Sequence, residues 1–176
     1  METSDLRDIA QKRYDEFVDA LREMVNVDCG SYTPDGVNVI ADLCQARFEG
    51  GGWAVERVRH EPDEGQEQLG DLVIGRLEGS GSKRVLMIGH TDTVFDTGTV
   101  AERPFATDGD RAFGPGVTDM KGGLLTGFFA VEVLQAAGFE DFGRVTYVCN
   151  PDEEIGSPWS RETILAEAGQ ADAALV

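Results

Sequence analysis

The sequence predicts an α/β protein, a three-layer α/β/α arrangement around a mixed, mostly parallel sheet. Three observations carry that expectation. Two nearly continuous apolar runs, RVLMIG at 84–89 and RVTYVC at 144–149, have the composition of strands covered on both faces. Segments whose apolar residues recur at spacings of three and four alternate with them, as helices between strands do. Clusters of glycine, proline and serine separate the two kinds of segment and mark turns.

Taken in order, Ser4 caps a helix over 5–25, with Leu6, Ile9, Ala10, Tyr14, Phe17, Val18, Leu21, Met24 and Val25 on its apolar stripe. A second helix starts near Pro34 or Asp35 and carries Val37, Ile40, Ala41, Cys44 and Phe48. Gly50-Gly51-Gly52 ends it, because glycine tolerates the left-handed conformation past a helix C-terminus. Strands follow at 53–58 and 71–77, then a Gly-Ser turn at 79–82 and the strand at 84–89. Residues 90–118 read as irregular. A helix over 121–137 presents Leu124, Leu125, Phe128, Val131 and Leu134, and the strand at 144–149 runs into the acidic turn Asp152-Glu153-Glu154. Ser160 caps a helix over 161–168, and Ala173-Ala174-Leu175-Val176 opens a last strand. A strand that only opens predicts a longer parent chain. No internal repeat is present.

At 176 residues one domain is expected. Hydrophobic residues at 41% and charged ones at 27% are a globular balance, so disorder is excluded as the class. The net charge of −18, from 33 acidic and 15 basic residues, argues against nucleic acid and anionic membrane surfaces, which reward lysine and arginine. It suits a protein that holds a cation. Cys29, Cys44 and Cys149 are odd in number and lack C-x-x-C spacing, which predicts buried thiols in a reducing compartment. The acidic start Met1-Glu2-Thr3-Ser4-Asp5 has no basic leader with an apolar core, and no run approaches the ~18 apolar residues of a membrane span. The expected location is the cytoplasm.

Ligands in open α/β sheets bind beyond the carboxyl ends of strands. His90-Thr91-Asp92 follows the strand at 84–89, Asp152-Glu153-Glu154 follows the strand at 144–149, and Asp119 precedes Met120-Lys121-Gly122-Gly123 at a helix start. Each piece alone has an ordinary reading: a hydrogen-bonded loop histidine, a helix cap, a solvated acidic turn. Asp63-Glu64 is such a turn, and His60, among polar neighbours, is assigned to the surface. Together the three clusters offer the nitrogen and oxygen donors that zinc accepts, and a cation would relieve the repulsion among their carboxylates. Asp92 beside His90 fits a carboxylate that fixes an imidazole ligand. Of Glu153 and Glu154, one can bind metal while its neighbour faces substrate as a base. No H-E-x-x-H, G-x-S-x-G, phosphate loop or G-x-G-x-x-G is found.

His90-Thr91-Asp92-Thr93-Val94, Gly116-Val117-Thr118-Asp119-Met120-Lys121-Gly122-Gly123 and Asp152-Glu153-Glu154-Ile155-Gly156-Ser157 resemble, in order and spacing, the dizinc metallopeptidase family of glutamate carboxypeptidase, acetylornithine deacetylase and succinyl-diaminopimelate desuccinylase. The stretch from Pro104-Phe105 to Gly114-Pro115-Gly116 is most similar to the glutamate carboxypeptidase branch. The resemblance implies that His90 binds one zinc, Asp119 bridges two, Glu154 binds the second, Asp92 supports His90 and Glu153 is the general base, with a cis peptide at Asp119-Met120. It implies that residues 1–176 are the N-terminal part of the catalytic domain. A further acidic ligand, a late histidine ligand and a lid domain that dimerises would lie beyond them, so this stretch alone should bind zinc poorly and turn nothing over. The implied activity of the intact parent is hydrolysis of an amide bond to an amino acid, on a small peptide or N-acyl amino acid. Cobalt and manganese suit the same donors. Two other readings stand beside it: a non-catalytic zinc-binding fragment or decayed paralogue, and a two-carboxylate glycosidase using Glu153 or Glu154, which leaves His90, Asp92 and Asp119 without a role.

Overall fold

The apolar stripe of residues 5–25 folds as helix, but in two pieces. In the computed structural model, which describes residues 3–176, α1 (Thr3–Lys12) and α2 (Tyr14–Val25) are separated at Arg13. Arg13 has φ −103° and ψ 8°, and its guanidinium reaches Glu132 at 2.6 Å and Glu16 at 2.7 Å and lies 4.6 Å from the Phe129 ring centre. Periodicity along one segment carries no trace of such a contact with a distant helix, so it runs through the break. Ser4 sits inside the first turn of α1 and does not cap a longer helix. Met1 and Glu2, part of the acidic start, lie outside the described residues.

The remaining elements are α3 (Pro34–Gly50), β1 (Ala54–Val58), β2 (Leu72–Glu78), β3 (Arg84–His90), α4 (Thr99–Glu102), β4 (Ala106–Asp108), β5 (Arg111–Phe113), α5 (Gly122–Ala136), β6 (Arg144–Asn150), α6 (Arg161–Ala168) and β7 (Ala173–Leu175). A single π-type turn, Val117–Lys121, leads into α5, and a 3₁₀ turn, Glu153–Ile155, follows β6. The expected irregular stretch 90–118 thus contains α4 and the β4–β5 hairpin, elements of three or four residues that are too short to show a period. Past α3, Gly52 takes φ 76°, the left-handed conformation expected of the glycine run.

Five strands form a mixed sheet in the order β1-β2-β6-β3-β7. The β1–β2 and β2–β6 pairings are antiparallel, and β6–β3 and β3–β7 are parallel. Helices α2, α3 and α5 cover one face through Leu21, Met24, Val37, Ile40, Phe48, Leu124 and Phe128. Phe48, Phe128 and Tyr147 form a ring cluster with centroids 4.7–6.0 Å apart, and the Tyr147 hydroxyl donates to the Leu124 carbonyl at 2.8 Å. The other face is smaller: Leu72, Ile74, Leu86 and Val148 lie under Trp159 and Ile164. The three layers are those the sequence predicts.

All three cysteines are free and buried, as expected. His60 is not a surface residue: it is 8% exposed, its ring meets Trp159 edge-on at 4.9 Å, and its Nδ1 accepts from Leu69 N at 3.0 Å. Its polar sequence neighbours conceal a partner 99 positions away (159 against 60). Among the described residues no helix is long and apolar enough to cross a membrane.

Candidate metal centre

β3 and β6 are parallel neighbours in register, His90 opposite Asn150, so their carboxyl ends finish side by side. The polar residues after each strand are thereby delivered to one crevice. The Asp119-Met120 peptide is cis, as the resemblance implies, and leads into α5 at the same edge.

His90 is 4% exposed. Its Nδ1 lies 3.0 Å from the Asp92 carbonyl oxygen and 3.3 Å from Asp92 Oδ1. Both are acceptors, so Nδ1 carries a proton and Nε2 is the nitrogen presented to the crevice. Nε2 is 3.0 Å from Asp119 Oδ1 and 3.9 Å from Glu153 Oε2. Burial works against a charge on this ring, but the hydrogen bonds and negative charge of Asp92, with Asp119, outweigh it and raise its pKa to about 9.

Asp92 is 1% exposed and joins three segments. Oδ2 accepts from the Ser31 hydroxyl at 2.7 Å and from Glu154 N at 3.2 Å, and Oδ1 accepts from Glu153 N at 3.2 Å. One buried carboxylate therefore holds the His90 ring and the main chain that bears both glutamates. Asp152 does not join the cluster. It is fully buried and turned back into its own loop, accepting from Trp159 N at 2.8 Å and Ser160 N at 3.1 Å and from the Ser160 hydroxyl. The acidic triplet is thus split: Asp152 shapes the turn, and Glu153 and Glu154 face the crevice. Ser160, expected as a helix cap, spends its hydroxyl on Asp152.

The side chains of Asp119 and Glu153 are open, 74% and 55% exposed. Glu154 is partly buried. Desolvation raises its pKa; His90 pulls the other way, and the charges of Asp119, Asp92 and Glu153 add to the rise. One donor atom from each of His90, Asp119 and Glu154 lies within 4.8 Å of the others. Two donors ~2.1 Å from one tetrahedral zinc stand ~3.4 Å apart. The donor set therefore fits one ion after side-chain shifts of about 1.5 Å. Beside Glu154 a cavity of about 260 Å³ opens between Tyr32, Val94 and Ile155.

Residues 86–176 match the profile of the peptidase family M20/M25/M40. The chain belongs to that family. It is 34% identical over 155 residues to carboxypeptidase G2 of Pseudomonas sp. (strain RS-16), a stretch that is 88% of this chain and 36% of that protein. It is 32% identical over 160 residues to acetylornithine deacetylase of Myxococcus xanthus, 89% of this chain and 40% of that one. The chain therefore spans about two fifths of the length of these M20 relatives. The fold matches human carnosine dipeptidase 1 with a TM-score of 0.80 at 21% identity, over 97% of this chain and 40% of that structure. The M20 relatives act on peptide-type bonds.

Sequence reasoning did not single out Ser31, 61 positions from Asp92, since no local pattern announces so distant a partner. It also missed the sulfur of Met120, which accepts from His90 N at 3.2 Å.

Proposed function

We propose that this chain is the N-terminal part of the catalytic domain of a metal-dependent hydrolase that cleaves an amide bond to an amino acid, as a carboxypeptidase or an N-acyl-amino-acid deacylase. The observation that carries the reading is the convergence of His90, Asp119 and Glu154 donors within 4.8 Å. These three would hold zinc. When bound, the metal polarises the scissile carbonyl and lowers the pKa of water.

The remaining work falls to the chain's own groups. Glu153 lies beside the donor set, exposed and bonded through its main chain, not its carboxylate, to Asp92. That leaves the carboxylate free to take a proton from an attacking water and return it to the departing amine. Asp92 keeps the proton of His90 on Nδ1, so that Nε2 remains the donor. The cavity beside Glu154 has room for a substrate side chain or acyl group.

Activity is proposed for a protein of the M20 relatives' length. These 176 residues supply three donors, and on their own they bind zinc weakly and turn nothing over. The test is amide hydrolysis of dipeptides and N-acyl amino acids by a protein of that length. Activity lost to a chelator and restored by zinc supports the reading. Chelator-resistant activity, or hydrolysis of glycosides only, refutes it.

A further inference from the structure

Lys121 belongs to neither the donor set nor the proton transfer, yet it is 1% exposed. Its amine donates to the Val27 carbonyl at 2.9 Å and to the Pro115 carbonyl at 3.3 Å. Among the described residues it has no ion pair with a carboxylate. Burying an amine is costly, and the two main-chain carbonyls and the Cys29 side chain beside it offset that cost here. The amine therefore ties the segment after α2 to the loop that begins at Pro115.

The Lys121 main chain donates to Gly116 O at 2.9 Å, so backbone and side chain together close the loop 115–121. Gly116 has φ 71°, and a Cβ there would meet Thr93 Cγ2 at 2.6 Å and Lys121 Cδ at 3.4 Å; the loop lies directly on the lysine stem. On the other side of the turn, Met120 Sδ takes the His90 N–H. Asp119 stands between these two anchors, largely in solvent, with the His90 ring as its side-chain partner. An exposed carboxylate is not fixed by its own contacts, so its aim depends on the main chain behind it.

We propose that Lys121 is a positioning residue: its buried amine locks the 115–121 loop to the segment after α2 and thereby aims Asp119 at His90 and Glu154, so that metal binding through Asp119 depends on it. The inference rests on the metal reading above. Its test is cobalt binding to a protein of the M20 relatives' length, read by visible absorption and calorimetry, for the unsubstituted protein, Lys121→Met, Asp119→Asn and the double variant. Circular dichroism verifies that each is folded. Lys121→Met is expected to weaken cobalt binding about 10-fold. In the Asp119→Asn background the same substitution should change affinity by less than about 2-fold, because the group it aims has already gone. A purely structural lysine would lower the melting temperature and leave the affinity of folded chains unchanged, or would weaken binding equally in both backgrounds; either result overturns the proposal. If Lys121→Met does not fold, Lys121→Gln carries the same cycle, and failure of both to fold assigns the lysine to stability alone and overturns it. No cobalt binding by the unsubstituted protein of that length overturns the metal reading, and this inference with it.

Discussion

The two halves of the candidate metal centre are built in opposite ways. On one side His90 and Asp92 are 4% and 1% exposed, and every oxygen of Asp92 is engaged by the ring, the Ser31 hydroxyl or the main chain of Glu153 and Glu154. On the other side Asp119 and Glu153 project side chains that are 74% and 55% exposed. The buried half is rigid because unpaired polar groups there would be costly. The open half is free of that constraint and owes its direction to the backbone turns that carry it. Fold stability and chemistry are therefore divided between residues only a few ångströms apart, and substitutions on the two sides should have opposite signatures.

The sharpest contrast comes from Glu153→Gln in a protein of the M20 relatives' length. The amide keeps the main-chain bond to Asp92 but cannot take a proton, so kcat should fall roughly 10²–10⁴-fold with metal content unchanged. Full kcat in that variant removes Glu153 as the base. Asp92→Ala strikes the buried half. It strands the His90 ring, a hydroxyl and two main-chain N–H groups, and should destabilise the metal-free chain by about 3–5 kcal/mol in urea unfolding. Ser31→Ala removes one hydrogen bond to the same carboxylate, and a loss of about 1.5–3 kcal/mol is expected by the same measurement. Asp119→Ala in chelator should change stability by less than about 0.5 kcal/mol while abolishing most metal affinity. If Asp119→Ala destabilises the metal-free chain as much as Asp92→Ala does, the division between the halves is wrong.

Much of this site could be read from the sequence because its residues sit where a strand ends. The apolar runs at 84–89 and 144–149 stop at His90 and just before the acidic triplet, and a parallel pairing of the two strands was enough to bring those ends together. What the sequence could not show depends on contacts across the fold. The break at Arg13 accompanies pairing with Glu132, and the burial of His60 depends on Trp159. The inward turn of Asp152 requires the amides of Trp159 and Ser160 to be folded back over it. For His60 and Asp152 local polarity pointed outward and a folded-back partner reversed it; at Arg13 the apolar period ran on through the break.

Convergence of three side chains on one cation is the claim from which the rest follows. Anomalous diffraction at the zinc edge, on crystals grown with zinc, tests it most directly. A peak within bonding distance of His90 Nε2 and carboxylate oxygens of Asp119 and Glu154 is the expected result. Zinc bound only at acidic patches away from His90, with that crevice empty, would contradict it.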